Sequence, residues 1–183
     1  SEPLKVNEIR RAVYQSRALK TIDDYVQEHV DSPAYKMIFS ATNIKRYDDY
    51  GRFFRSIAFY LKYNPESKAV VGYNSRPREM INSVLASVQS KKISIADEEI
   101  RNVLDATMQL MLLFSEQKTN REYLVDACIY FRMKYGQAFE RIKDKIANDG
   151  VILETLMKSP STTSNVNERF RRVHEMISGV DDE

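Results

Sequence analysis

Tryptophan is absent from this chain, and cysteine and histidine nearly so. The single cysteine, Cys128, excludes an intramolecular disulfide and points to a reducing compartment, so the cytoplasm is the expected location. The two histidines, His29 and His174, lie far apart with no second His or Cys at ligand spacing. No metal ligands are therefore expected. The five glycines stand singly at positions 51, 72, 136, 150 and 179, which excludes a glycine-rich phosphate loop. Five glycines and five prolines are also few for a protein of tight turns, and favour long helices with short connections. No run approaches 18 apolar residues, so no membrane span is expected. Charge of one sign is lacking too: 28 basic against 26 acidic residues give +2, where a dedicated nucleic-acid binder carries a clear excess or a local cluster.

What is present suits one all-α domain. The 183 residues are 43% hydrophobic, enough to fill a core. Apolar residues recur at helical spacing nearly throughout, and seven to nine helices are expected. Leu19, Ile22, Val26 and Val30 form one stripe, and Pro33 suits the first turn of a short helix reaching Met37 and Phe39. In RYDDYGRFFRSIAFYLKY, residues Tyr47, Tyr50, Phe54, Ile57 and Leu61 form a second stripe, broadened by Phe53 and Phe59. Residues 64–77 read as the longest ordered loop or a short helical turn. IRNVLDATMQLMLLF is the most apolar stretch and the expected central helix. Thr119 to Glu122 matches a capping box, with Gly136 placed to end the helix it starts. Residues 1–15 read as a helix entering the domain, 158–165 as a polar linker and 166–178 as a terminal helix. The acidic GVDDE tail is expected to fray.

No catalytic residue emerges. Cys128 falls on an apolar face with Leu124 and Phe131, the setting of an inert core thiol. The pairs Asp23-Asp24 and Asp48-Asp49 and the run Asp97-Glu98-Glu99 point in different directions on helices, and two of these groups sit where acids favour helix starts. Eleven Tyr and eight Phe could stack bases, but their helical spacing places most of them on core faces. Basic groups carry the remaining signal. Arg169 and Arg172 are a turn apart in the terminal helix and could face a phosphate backbone together. Arg55, inside FFRSIAF, is an arginine in an apolar run and needs a carboxylate, carbonyl or phosphate partner.

Three segments in series, PLKVNEIRRAVY, KRYDDYGRFFRSIAFYLKY and FSEQKTNREYLVDACIYF, resemble the bacterial GmrSD-type restriction and phage-defence proteins. In that family a P-L-N-x-x-E-I-R-x-A-x-Y hinge joins an N-terminal ParB/sulfiredoxin-like nucleotide-hydrolysing domain to a helical half. The resemblance covers nearly the whole chain, with departures at Lys5, Val6, Gly51 and Arg52. It implies that this chain is the non-catalytic helical half, with Glu8 and Arg10 at the junction. Arg46 and Arg55 fill the two arginine positions of the second segment, and Asn120 and Arg121 lead the third. These residues would order the junction or reach a phosphate held across it. Nothing like the family's DGQQR motif occurs here, nor any HNH-type segment. The NTP and divalent metal of the family would thus belong to the partner domain, and the chain itself would carry no cofactor. The second reading is a stand-alone helical adaptor that binds a protein partner or DNA through basic helix faces. Both readings leave open whether the chain forms a homo-oligomer.

Overall fold

The computed structural model describes residues 4–182; Pro3 of the hinge-like segment and Glu183 of the acidic tail lie outside the described residues. The first half comprises α1 (Val6–Val13), α2 (Arg17–His29), α3 (Pro33–Ile38), α4 (Ala41–Lys45) and α5 (Asp48–Lys62). A hairpin of β1 (Tyr63–Asn64) and β2 (Ala69–Val70) follows. Then come α6 (Pro77–Gln89), α7 (Asp97–Leu113), α8 (Arg121–Lys134), α9 (Gly136–Ile146), α10 (Gly150–Met157) and α11 (Thr163–Ser178), with a final 3-10 turn at Gly179–Asp182.

The all-α class expected from the sequence is the one that forms, but the details differ in instructive ways. Eleven α-helices occur among the described residues, more than the seven to nine expected. The helix with no forerunner in the sequence reading is α4, whose five residues are too short to show apolar periodicity. It starts because Ser40 Oγ accepts from the Asn43 amide at 3.1 Å. The expected loop after α5 contains the hairpin, with Tyr63 opposite Val70; two-residue strands are too short for any alternation to register.

The capping box at Thr119 does not form. Asn120 is the N-cap instead, in the left-handed region at φ 55°, and its side chain turns away to donate to the Leu156 carbonyl at 2.8 Å. Gly136 does not adopt a left-handed cap but opens α9. The polar linker is shorter than expected, because Thr162 caps α11 through the Asn165 amide and the helix begins at Thr163. The tail through Asp182 winds into the 3-10 turn and buries Val180.

At the centre, α5 packs against α6, α7 and α8, while α8 also meets α9 and α11. The apolar stretch expected at the centre is α7, which contacts α2, α3, α5 and α8. The broad face of α5 buries Phe53, Phe54, Ile57, Ala58 and Phe59. Two aromatic clusters fill the space between helices. Tyr25, Tyr35 and Phe39 surround Phe53, and Tyr63, Phe131 and His174 gather beside Phe170. Most of the aromatics are core, as their spacing suggests, while Tyr135 is exposed.

Each of the six buried tyrosines has a partner for its hydroxyl, which is what makes so many of them tolerable inside. Four donate to carboxylates: Tyr25 to Asp105 at 2.8 Å, Tyr35 to Asp49 at 2.5 Å, Tyr50 to Asp23 at 2.6 Å and Tyr60 to Glu99 at 2.5 Å. Tyr73 donates to the Ser161 carbonyl, and Tyr63 bonds His174 Nδ1 at 2.6 Å. Each acidic group singled out in the sequence thus supplies one tyrosine acceptor, Asp23, Asp49 or Glu99. Asp49 is fully buried, and burial raises its carboxyl above the usual carboxylate range.

Tyr35→Phe leaves Asp49 with backbone amides alone as donors. A buried acceptor deprived of its partner costs about 1–3 kcal/mol, measurable by urea unfolding. A loss below about 0.5 kcal/mol would show that the bond contributes little.

Candidate functional site

Arg55 finds the carboxylate that its position required. Asp126 lies in the apolar run of α8, 2% exposed, and accepts from Arg55 Nε at 3.0 Å through Oδ1 and 2.8 Å through Oδ2. Arg55 Nη2 lies 2.6 Å from Asp126 Oδ2 but out of line for a hydrogen bond. One turn earlier on α5, Arg52 pairs with the same carboxylate and donates to Ser56 Oγ at 3.2 Å and to the Glu122 carbonyl at 3.0 Å. The Arg55 guanidinium also covers the Tyr123 ring at 4.5 Å.

One carboxylate thus serves two buried guanidiniums, and the triad carries a net positive charge. Burial pulls both arginines down and Asp126 pulls both up. For Arg55 the carboxylate wins and the guanidinium is held above its ordinary value; for fully enclosed Arg52 burial wins. Arg52 Nε has no acceptor among the described residues.

The two arginines of the triad line a cleft of about 430 Å³ between α1, α5, α6 and α8, with Asp126 behind them. Helix α1 closes one side with an unusual polarity. Its polar residues Asn7 and Arg10 are buried, at 7% and 6% exposure, while Ile9 and Val13 face outward at 42% and 53%. Arg10 donates from Nε to Asn82 Oδ1 at 2.8 Å and from Nη1 to Asn7 Oδ1 at 3.0 Å. Both acceptors are neutral. Burial, then the nearby Arg78 and Arg55 charges, depress the Arg10 guanidinium to about 10.

Asn7 can sit there because α5 has a glycine opposite it. A Cβ on Gly51 would come within 2.4 Å of the Asn7 amide nitrogen. Elsewhere Arg11 lies over the Tyr47 and Tyr50 rings and pairs with Asp23, and Gln89 donates to the Val13 carbonyl. Polar contacts, more than apolar burial, hold α1 in place.

Of the sequence candidates, Arg10 and Arg55 meet in this cleft, and Glu8 lies on the same helix, accepting from the Lys5 amide at 3.0 Å as an N-terminal cap. Arg46 is exposed at the end of α4, and Asn120 and Arg121 begin α8; none of the three lines the cleft. The expectation of a phosphate-facing pair on α11 is corrected. Arg169 is 1% exposed and donates to Thr155 and to the Pro160 carbonyl, where burial lowers its guanidinium to about 10. Arg172 instead grips Asp149 through Nε and Nη2. The one-turn spacing is right, but residue 169 lies on the core face of the helix.

Residues that the sequence reading did not single out complete the site: Asn7, Arg78, Glu122 and Asp126. The signal for Asp126 was available, since an acid inside LVDACIYF is as anomalous as an arginine inside FFRSIAF. Among the described residues no group of three His, Cys, Asp or Glu could hold a metal. Cys128 is fully buried, and burial pushes its thiol well above the ordinary range. The cleft offers guanidinium donors without a nucleophile–base pair.

Replacing Asp126 with Ala leaves buried Arg52 and half-buried Arg55 without their carboxylate. The expected loss is about 3–5 kcal/mol in chemical denaturation, and a loss under about 1 kcal/mol would mean that water or rearrangement already carries the charge. No protein-family model, curated protein or solved structure matches the chain.

Proposed function

We propose that this chain is the non-catalytic helical half of a GmrSD-like defence protein, packing on and regulating a ParB/sulfiredoxin-like nucleotide-hydrolysing domain. The observation that carries this reading is the reversed polarity of α1, the helix that resembles the family hinge. A helix that buries Asn7 and Arg10 and turns Ile9 and Val13 outward, with Leu4 65% exposed just before it, has its apolar face free for another body. Its inner attachment is built from side-chain hydrogen bonds that can hold the helix in register while the outer face docks. The arginine cleft beneath α1 then lies against the junction, and Arg10 links the two. No helix among the described residues is long and apolar enough to cross a membrane.

The test begins with the coding sequence upstream of Ser1. An in-frame domain with an Asp-Gly-Gln-Arg-like motif is expected, and the extended protein should hydrolyse NTP. In that protein Ile9→Glu with Val13→Glu should change the hydrolysis rate at least tenfold and expose the junction to limited proteolysis. In the 183-residue chain alone the same pair should shift stability by no more than about 0.5 kcal/mol, as exposed positions do. A start codon within a few residues of Ser1, or unaltered hydrolysis in the double variant, would overturn the proposal in favour of a stand-alone adaptor.

A further inference from the structure

The cleft has more cation than its own residues neutralise where it is deepest. Four guanidiniums line it, from Arg10, Arg52, Arg55 and Arg78. Asp126 is shared by Arg52 and Arg55, and Arg10 has only amide oxygens as acceptors. The remaining lining acids, Asp48 and Glu122, are exposed, where water screens them. A buried guanidinium with no carboxylate partner is costly, and an added anion would offset that cost.

Two further features favour a ligand. Arg52 Nε and Arg55 Nη2 are buried without a hydrogen-bond partner among the described residues, and Arg10 is held in orientation, its Nε and Nη1 both fixed by asparagines. Arg78 opposes it from the first turn of α6, exposed and close enough to depress Arg10. Such a fork, oriented by second partners, matches the tetrahedral oxygens of a phosphate group. The volume, about 430 Å³, exceeds what a bare phosphate fills and lies within the range of small-molecule sites. Apolar surface from Val6, Pro77 and Ile81 is available for the rest of the molecule.

We infer that the cleft between α1, α5, α6 and α8 binds a small organic phosphate monoester, its phosphate held by Arg10, Arg55 and Arg78 and its organic group set against Val6, Pro77 and Ile81. Asn7 and Asn82 are positioning residues that aim Arg10, and Asp126 aims Arg55. The ligand supplies the missing negative charge and, by bonding Arg10, ties α1 to the body of the domain. This inference stands on the cleft alone and holds whether or not a nucleotide-hydrolysing domain docks on α1.

Titration calorimetry on the 183-residue chain tests it with three probes: inorganic phosphate, AMP and adenosine. AMP is expected to bind saturably at one site, at least tenfold tighter than phosphate, with adenosine silent. Arg78→Gln, an exposed substitution that leaves the core untouched, should weaken AMP at least tenfold. Arg46→Gln, which removes an exposed charge outside the cleft, should change the affinity less than twofold. Asn82→Asp should weaken AMP as well, because it gives Arg10 a carboxylate of its own, while leaving the thermal midpoint unchanged or raised. Absence of saturable binding, or equal weakening by Arg78→Gln and Arg46→Gln, would overturn the site. Equal affinity for phosphate and AMP would overturn its assignment to an ester.

Discussion

The sharing of one carboxylate by two arginines governs how this domain is built. Asp126 stands in the middle of α8, and Arg52 and Arg55 reach it from one face of α5, so the bridge locks the two central helices in rotation as well as in distance. Apolar packing alone would tolerate a slip along either helix, since the buried faces of both are broad. The charge cluster does not, because any slip leaves a buried ion without its partner. The sharing also leaves one positive charge over, and that surplus gives the adjoining cleft its character.

Around this pair the domain repeats a single device, a polar group buried against a dedicated partner. The tyrosine hydroxyls use it with Asp23, Asp49, Glu99 and Asp105, Arg169 uses it with Thr155 and Pro160, and α1 uses it through Asn7 and Arg10. The acids and bases of a nearly neutral sequence are thus spent in specific pairs, few of which can be recognised from chain position, because the tyrosines and their carboxylates are 14 to 80 residues apart. Arg10 alone among the deeply buried arginines of the cleft has only neutral acceptors.

How much of this was legible in the sequence depends on the range of the interaction. Helices α2, α5, α7 and α8 declared themselves through apolar spacing, since burial of a helix face is written in one segment. Short elements did not: α4 begins at a serine cap and the hairpin is two residues deep on each side. Arg55 stood out because an ion in an apolar run demands a partner, and the same logic applied to LVDACIYF would have supplied Asp126. Arg169 misled because a one-turn spacing to Arg172 says nothing about which residue faces the core. Gly51 looked like a departure from a family pattern, yet it is the space into which Asn7 fits.

The most direct test of the central claim is a double-mutant cycle between Arg55 and Asp126, read by urea unfolding of the single and double alanine variants. The account predicts a coupling energy of about 2 kcal/mol or more, with the double variant far less damaged than the sum of the single losses. Additivity to within about 0.5 kcal/mol would contradict it, since the two residues would then be acting independently.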